Sequence, residues 1–364
     1  MYRELLRIFK LHNRLLNAHS FLPSLVGSDR AFPPLIVQLE LTHRCNLNCP
    51  MCYQSRSPGP AGELSTAEWK KVLDGLPPWA LVTLTGGDPF MRGDFSEIFA
   101  HAAARHKCNI LTNGELLTDG QARLLVDGGL VLLGVSIDGA EAVHDALRRK
   151  KGLFGRVVAN IKKIQAEKAR RKSQLPLLDV KTVLLNENWR ELPGLAALVG
   201  ELGADFWSLS LPKLSDVQFS NRYRASLGEV FGSSPLKTCL KLSAEEEREL
   251  ALALEGIARN PGRAAVRFYP YNMLGAGPLA EHLGDRLRTE DFLPCRQPWS
   301  FACVSPRGEV FPCLSYRAGS VREKPFAEIW NGPEFRAFRA GLDRKKLNRC
   351  CLGCCYSVYR KRPG

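Results

Sequence analysis

Short apolar runs that alternate with amphipathic helical stretches constrain the fold of this chain most. The apolar, β-rich runs occupy residues 35–42, 81–85, 108–112, 130–137, 177–185 and 205–211. Helical stretches lie between them, near residues 66–73, 95–106, 119–126, 156–172 and 190–202. Repeated strand–helix units predict an α/β domain in which helices cover a parallel sheet. Periodicity does not separate an open or partial barrel from a doubly wound sheet, but in both a ligand binds at the carboxyl ends of the strands.

Changes in this pattern predict four segments. Residues 1–33 form a basic amphipathic helix with a short link, residues 34–212 the α/β domain, residues 213–290 a connector, and residues 291–364 a cysteine-rich domain. In the connector, Ser243 and Glu246 have the spacing of a capping box, which predicts a helix over residues 243–259. In the last segment, the turn residues 306–308 predict a hairpin, and a helix is expected around residues 333–342.

The twelve cysteines indicate metal binding rather than disulfides. The N-terminus lacks the continuous apolar region of a signal peptide, and no run approaches the roughly 18 apolar residues that cross a bilayer. We therefore expect a cytoplasmic protein, in which cysteines stay reduced and tight clusters of them bind metal.

The first cysteine cluster follows the first predicted strand directly. Cys45, Cys49 and Cys52 have the spacing Cys-x3-Cys-x2-Cys. Three thiolates on one loop can hold three irons of a cubane [4Fe-4S] cluster, which leaves the fourth iron open to a small molecule. Zinc needs four ligands, and no fourth Cys or His has the appropriate spacing. The pattern favours a catalytic cluster.

These cysteines resemble the cluster-binding loop of radical S-adenosylmethionine enzymes, and further motifs extend the resemblance over residues 34–212. Gly86-Gly87-Asp88-Pro89 ends the second strand and is similar to the family's Gly-Gly-Glu-Pro motif, although Asp replaces Glu. The resemblance implies that this motif binds the methionine amino group of S-adenosylmethionine, where small glycines let the backbone approach closely. It also implies that Ser136 and Asp138 bind the ribose and that Met51 lies against the adenine.

A second cysteine cluster lies in the last segment. Cys295 and Cys313 bracket the predicted hairpin, and Cys351 and Cys354 form a Cys-x2-Cys pair. Four thiolates suit a second cluster, with zinc as the alternative. The segment resembles the SPASM or twitch auxiliary-cluster domain, and because no cysteine follows Cys355, we expect one auxiliary [4Fe-4S] cluster. The run of cysteines at 350, 351, 354 and 355 leaves the register of the ligands open.

The resemblance implies a partial (β/α)6 barrel with a C-terminal twitch-like domain, and it implies a reaction. The catalytic cluster passes an electron to S-adenosylmethionine, and the resulting 5′-deoxyadenosyl radical abstracts hydrogen from a C–H bond. We expect an oxidoreductase or epimerase that dehydrogenates or epimerises a small, sugar-derived metabolite. Modification of a ribosomal peptide or a lipid is the alternative, and an iron–sulfur electron carrier or regulator is the non-enzymatic one.

Besides Cys350 and Cys355, three cysteines stand outside these ligand sets. Cys239, in the connector, is the first candidate for the hydrogen donor that an epimerase would need, and Cys303 is the second. Cys108 begins the third strand and is expected in the core.

Net charge indicates the partners. Lys and Arg outnumber Asp and Glu, 51 to 37. A basic surface suits an anionic substrate and an acidic electron donor such as flavodoxin or ferredoxin, although a solvated surface without a partner gives the same balance. The basic amphipathic pattern of residues 1–20 fits peripheral membrane contact or packing against the chain's own domain. No nucleic-acid partner is expected.

Overall fold

The structure is a computed structural model. It describes residues 18–19, 22–52, 59–211, 213–214, 225–234, 237–238, 240–260, 262–270, 276–284, 286–313 and 315–360. Two predictions lie outside the described residues: the helix over most of residues 1–20, and the hydrogen-donor role of Cys239.

Alternating strands and helices form the first two thirds of the chain, as the sequence predicts. The strands are β1 (Ile36–Thr42), β2 (Leu81–Gly86), β3 (Cys108–Thr112), β4 (Leu132–Ser136), β5 (Leu177–Val183) and β6 (Phe206–Ser210). The helices are α1 (Thr66–Asp74), α2 (Phe95–Ala103), α3 (Asp119–Asp127), α4 (Glu141–Arg148), α5 (Leu153–Arg170) and α6 (Leu192–Glu201). Of these elements, α4 was not predicted.

The remaining elements follow β6. They are β7 (Lys213–Leu214), α7 (Leu227–Gly232), β8 (Lys237–Thr238), α8 (Ala244–Arg259), β9 (Ala265–Tyr269), α9 (Ala276–Leu283), β10 (Phe301–Val304), β11 (Glu309–Phe311), β12 (Gly319–Ser320), α10 (Phe326–Trp330) and α11 (Pro333–Ala340). Ser243 and Glu246 form the predicted capping box at the start of α8. Helix α11 and the β10–β11 hairpin also confirm the prediction.

The main sheet has the strand order β12-β11-β10-β1-β2-β3-β4-β5-β6-β9. All neighbours from β10 to β9 are parallel, and only β11 and β12 are antiparallel. Because β1 to β6 follow one another in sequence order, the sheet lacks the reversal of a doubly wound fold. The two outer strands of this sheet, β12 and β9, are not paired with each other, so the sheet is open, in agreement with the partial barrel that the resemblance implies.

The two faces of the sheet differ in composition. On β1, Val37, Leu39 and Leu41 are fully buried in the core that the helices share. Since side chains alternate along a strand, Gln38 and Glu40 point to the opposite, inner face. On β1 the inner face is therefore polar and the outer face is apolar.

The C-terminal segment is tied to the residues that precede β1. The fully buried Arg339 donates to the carbonyl oxygens of Pro298 (2.8 Å) and Asp29 (3.1 Å), and the Trp330 indole donates to that of Phe32 (2.8 Å). Strand β10 also pairs directly with β1. The cysteine-rich segment is therefore packed against the barrel.

Within the part of the chain that the structure describes, no helix combines the length and the apolar character needed to cross a membrane.

Candidate active site

The three cysteines of the first cluster lie on the loop that leaves the carboxyl end of β1. Cys49 is buried, whereas Cys45 and Cys52 are partly exposed. The pKa of Cys45 is raised to about 11, mainly by burial and to a smaller extent by the negative charges of Asp88, Cys52 and Cys49. The three thiols of the loop therefore lie within range of one another's charge.

Asn113, directly after β3, contacts this loop. Its amide nitrogen lies 3.8 Å from the Cys45 Sγ and donates to the Asn46 Oδ1 at 2.8 Å. Asn46 in turn donates to the Glu115 carboxylate at 2.6 Å. The end of β3 therefore holds the first half of the cysteine loop, a role that the sequence analysis missed although Asn113 follows a predicted strand.

Arg148, at the end of α4, contacts the second half of the loop. Its Nη1 lies 3.8 Å from the Cys49 Sγ, while its Nε donates to the Asp138 carboxylate at 2.6 Å. Asp138 is fully buried and also accepts from the Val183 backbone N–H at 2.9 Å. The carboxylate predicted to bind ribose is thus engaged in a buried ion pair, and its contact with ribose stays a prediction.

The Gly-Gly-Asp-Pro motif packs on the backbone next to the cysteine loop. The Gly87 N–H donates to the Thr42 oxygen (2.7 Å), and the Asp88 N–H to the Arg44 oxygen (2.9 Å). A Cβ on Gly86 would lie 2.4 Å from the Thr42 oxygen, and one on Gly87 would lie 2.2 Å from the Arg44 oxygen. Glycine is needed here because the two backbone segments touch.

The Asp88 carboxylate points into the protein. It is fully buried and accepts hydrogen bonds from the Thr112 hydroxyl (2.7 Å) and from the backbone N–H groups of Asn113 (2.9 Å) and Phe90 (3.1 Å). Burial raises its pKa to about 6. Asp88 joins the ends of β2 and β3, and Pro89 begins the short 3₁₀ helix that follows. The contact of the Gly86–Pro89 motif with a methionine amino group stays a prediction.

A row of polar side chains crosses the inner face from the end of β4 through the middle of β5, β6 and β9. Ser136 pairs in register with Lys181, Lys181 with Ser208, and Ser208 with Arg267. Lys181 donates to the buried Asp179 at 2.9 Å, and the Arg267 Nη1 lies 3.8 Å from the same carboxylate. The side chains of Lys181 and Arg267 remain 30% and 26% exposed, so this row combines two accessible cations with one buried anion.

Lys181 and Arg267 were not identified from the sequence. Charged residues within predicted strand 177–185 were the available signal, because a buried parallel strand is normally apolar on both faces. Met51 lies partly exposed on the cysteine loop, and its contact with adenine stays a prediction.

The second group of thiols lies beside α11. Cys295 and Cys313 pack against the cluster that contains Trp299, Phe338 and Leu342. The pKa of Cys313 is raised to about 11, mainly by burial and also by the charges of Cys354 and Cys350. The pKa of Cys351 is raised by its hydrogen bond to Cys350, by burial and by the charges of Cys350, Cys295 and Cys313. The four predicted ligands are thus together, but Cys350 and Cys355 belong to the same group.

These donor sets fit iron–sulfur clusters in chemistry. None of the cysteines in the described residues forms a disulfide bond. Among those residues, no three Cys, His, Asp or Glu side chains are already arranged as a metal-ion site. The assignment of clusters therefore depends on the position of the thiols in the fold and on the family comparisons below.

The other thiols are separate from both groups. Cys108 lies in the core, as predicted. Cys303, on the inner face of β10, is fully buried in a cluster with Phe301 and Phe311.

Family comparisons agree with this arrangement. Residues 39–199 match the family model of the Radical SAM superfamily, and residues 295–355 match that of SPASM, an iron–sulfur cluster-binding domain. The AdoMet-dependent heme synthase of Methanosarcina barkeri is 30% identical over 347 residues, covering 90% of this chain and 92% of that protein. A PqqA peptide cyclase of Bradyrhizobium diazoefficiens is 31% identical over 336 residues, covering 87% and 78%.

A solved structure shares the fold. Streptococcus suis SuiB bound to S-adenosylmethionine superposes with a TM-score of 0.64 and 14% identity, covering 93% of this chain and 78% of that one.

The barrel, its cysteine loop and these matches define a class: the chain belongs to the radical SAM superfamily. Within it, the chain belongs to the subgroup with a C-terminal SPASM domain. It is a radical SAM enzyme, and its cofactors are a catalytic [4Fe-4S] cluster, S-adenosylmethionine and an auxiliary iron–sulfur cluster. The SPASM match favours iron–sulfur over zinc at the second site.

Proposed function

We propose that this enzyme dehydrogenates a small anionic substrate through abstraction of a hydrogen atom. The observation that carries the proposal is the row with Lys181 and Arg267 on the inner face of the barrel. The two side chains are partly exposed, share a single buried carboxylate, and lie in one register row with Ser136. An excess positive charge on the inner face of the barrel suits a substrate carboxylate.

In this proposal, the site residues have the following roles. Cys45, Cys49 and Cys52 hold the catalytic cluster, and Cys295, Cys313, Cys351 and Cys354 hold the auxiliary one. Met51, the Gly86–Pro89 motif, Ser136 and Asp138 surround S-adenosylmethionine. Lys181 and Arg267 orient the substrate so that one C–H bond faces the cofactor, and the inner face of the sheet limits access of water. The bound cofactors supply a 5′-deoxyadenosyl radical and an acceptor for the second electron of the oxidation.

Dehydrogenation is favoured over epimerisation by the auxiliary cluster site. Of the two candidate hydrogen donors of an epimerase, Cys303 is fully buried beside two phenylalanines, and Cys239 lies outside the described residues. Oxidation instead needs an electron acceptor, which the auxiliary thiol group supports. The substrate loses one hydrogen atom to the radical, one electron to that acceptor and one proton to solvent.

The relatives inform the substrate class. The alignment with the heme synthase relative covers nearly the full length of both proteins. Haem is a tetrapyrrole with carboxylate side chains. A carboxylated tetrapyrrole is therefore the first candidate, ahead of the sugar-derived metabolite expected from the sequence. A ribosomal peptide is the second candidate, supported by the similarity to a PqqA peptide cyclase. An acidic flavodoxin or ferredoxin is the proposed electron donor.

The test compares formation of 5′-deoxyadenosine with and without substrate. Carboxylated iron porphyrins, sugar phosphates and peptides are offered to the reduced enzyme, and a product two hydrogens lighter is sought by mass spectrometry. Lys181→Gln should lose the stimulation by an anionic substrate and keep the basal cleavage of S-adenosylmethionine, whereas Lys181→Arg should keep both. Lys163→Gln, on the outer helix α5, is the matched control. Stimulation by a neutral compound that is unaffected in Lys181→Gln would contradict the proposal.

A further inference from the structure

We propose that the basic segment between α4 and α5 is the docking surface for the acidic protein that reduces the catalytic cluster. We define this surface as residues 149–151. The inference rests on the proposed assignment of Cys45, Cys49 and Cys52 to that cluster.

Four consecutive basic residues, 148–151, run from the last residue of α4 into the segment before α5, and they have different roles. Arg148 points inward to Asp138 and Cys49. Arg149 adopts a left-handed backbone conformation (φ 55°) that ends the helix, and both Arg149 and Lys151 are exposed. The change in backbone direction therefore places one cation on the cluster side and its neighbours in solvent.

Two short series of contacts connect this surface to the cluster ligands. Arg149 is bonded covalently to Arg148, whose Nη1 lies 3.8 Å from the Cys49 Sγ. Lys150 donates to Glu115 at 2.8 Å, and Glu115 accepts from Asn46 at 2.6 Å, next to Cys45. Electron transfer between proteins slows steeply with distance, so a donor docked at residues 149–151 would be well placed to reach the cluster.

The electrostatic character of the surface suits an acidic partner. A shallow depression of about 580 Å³ beside α4 is lined by Arg149, Lys150 and Lys151, together with Glu141 and Asp145. The Asp145 carboxylate accepts from the backbone N–H groups of Gly152 and Phe154, the latter at 2.8 Å, and so caps the start of α5. The cations thus outnumber the carboxylates facing solvent. Complementary charge raises the association rate, which suits the small, transient interfaces of electron-transfer partners.

The experiment compares two reductants on the reconstituted holoenzyme. Formation of 5′-deoxyadenosine and the electron paramagnetic resonance signal of the reduced catalytic cluster are followed with an acidic flavodoxin hydroquinone and with dithionite. In Arg149→Glu/Lys151→Glu, the flavodoxin-driven rates should fall about tenfold at low ionic strength, and the deficit should shrink as salt is added. The dithionite-driven rates should equal those of wild type.

The matched control is Lys162→Glu/Lys172→Glu, which makes the same charge change at exposed positions farther along α5 and just beyond its end. Its flavodoxin-driven rates should stay within about twofold of wild type, because steering acts locally once salt screens longer distances. Equal loss in both double variants, or no loss in the first, would overturn the docking surface. A failure of the cysteine assignment on which the inference rests would be distinct, because Cys45→Ala/Cys49→Ala/Cys52→Ala would then still form 5′-deoxyadenosine with dithionite, whereas failure of the proposed dehydrogenation would leave the dithionite-driven basal cleavage intact.

Discussion

Arg148 connects three parts of the active site that are distant in sequence. It ends α4, pairs with Asp138 after β4, and donates toward Cys49 after β1. The Asp138 side chain is fully buried and that of Arg148 is 12% exposed. Two buried charges in such an arrangement depend on each other, because neither has water to replace its partner.

Replacing Arg148 by Met should therefore destabilise the protein by about 3–5 kcal/mol, since Asp138 would remain as a buried charge without its partner. Denaturant unfolding of the anaerobic holoprotein measures this loss. Combining Arg148→Met with Asp138→Asn should recover much of the stability. In the single variant the reduction potential of the catalytic cluster should also fall, because a hydrogen bond near a ligand sulfur is lost. A loss below about 1 kcal/mol would show that water screens the Arg148–Asp138 ion pair, in contradiction to its burial.

His144 gives the same region a pH dependence. Its Nδ1 accepts the Asp138 backbone N–H at 3.1 Å, and burial lowers the pKa of His144 to about 4. The unfolded chain takes up a proton on His144 near pH 6.5, whereas the folded chain does not. The contribution of His144 to the free energy of unfolding is therefore fully present above pH 6.5 and is lost as the pH falls toward 4.

Between pH 6.5 and 5.5 the wild type should lose roughly 1 kcal/mol of unfolding free energy from this group. Urea unfolding at both pH values should show a smaller loss in His144→Gln, which keeps an acceptor but does not titrate. The same pH dependence in both proteins would exclude His144 as its source.

At the level of elements, the end of β2 and the cysteine loop behave as one unit. A Cβ on Gly87 would meet the Arg44 carbonyl oxygen, and Arg44 directly precedes Cys45. The sequence analysis expected these glycines to approach the ligand, whereas their nearest neighbour is the backbone of the loop itself. The difference matters because a side chain at position 87 would displace the cysteine loop, and with it the cluster, more directly than it would displace S-adenosylmethionine.

Gly87→Ala should accordingly lose iron from the catalytic cluster as well as S-adenosylmethionine binding. Iron analysis and calorimetric titration with S-adenosylmethionine measure the two effects. Gly93→Ala is the matched control, because nothing lies within 4 Å of a Cβ at that position. Normal iron content with weakened binding would instead place Gly87 against the ligand.

The sequence predicted the six central strands because each is a short apolar run between helices. It did not predict that β9 and β10 extend the parallel sheet at its two edges, since their pairing with β6 and β1 joins segments separated by more than 50 residues. Helix α4 was missed as well, although His144 and Leu147 form its buried side. Asn113 and Arg148 were missed with it, because their contacts with the thiols arise only when the strand ends meet.

On the scale of the whole molecule, two thiol groups are held by different parts of one sheet. The first follows β1, and the second flanks the hairpin whose strand β10 pairs with β1. Spacing was sufficient to predict both groups. It could not fix the register of the last four cysteines, because Cys350 and Cys355 share the local environment of Cys351 and Cys354. The proposed boundaries at residues 34, 213 and 291 stay predictions.

Iron counting tests the proposed clusters and their register together. Two [4Fe-4S] clusters would give about eight irons per chain, and Cys45→Ala/Cys49→Ala/Cys52→Ala should remove about half of them and abolish cleavage of S-adenosylmethionine. Single alanine variants of the second group should lose iron at Cys295, Cys313, Cys351 and Cys354 but not at Cys350 or Cys355. The Cys350 Sγ lies 3.7 Å from the Cys351 Sγ, so either thiol could face a cluster after a small rotation of the chain. Loss of iron at Cys350 with none at Cys351 would therefore shift the ligand set by one residue while leaving the auxiliary cluster in place, whereas full iron content in every variant of this group would contradict that cluster.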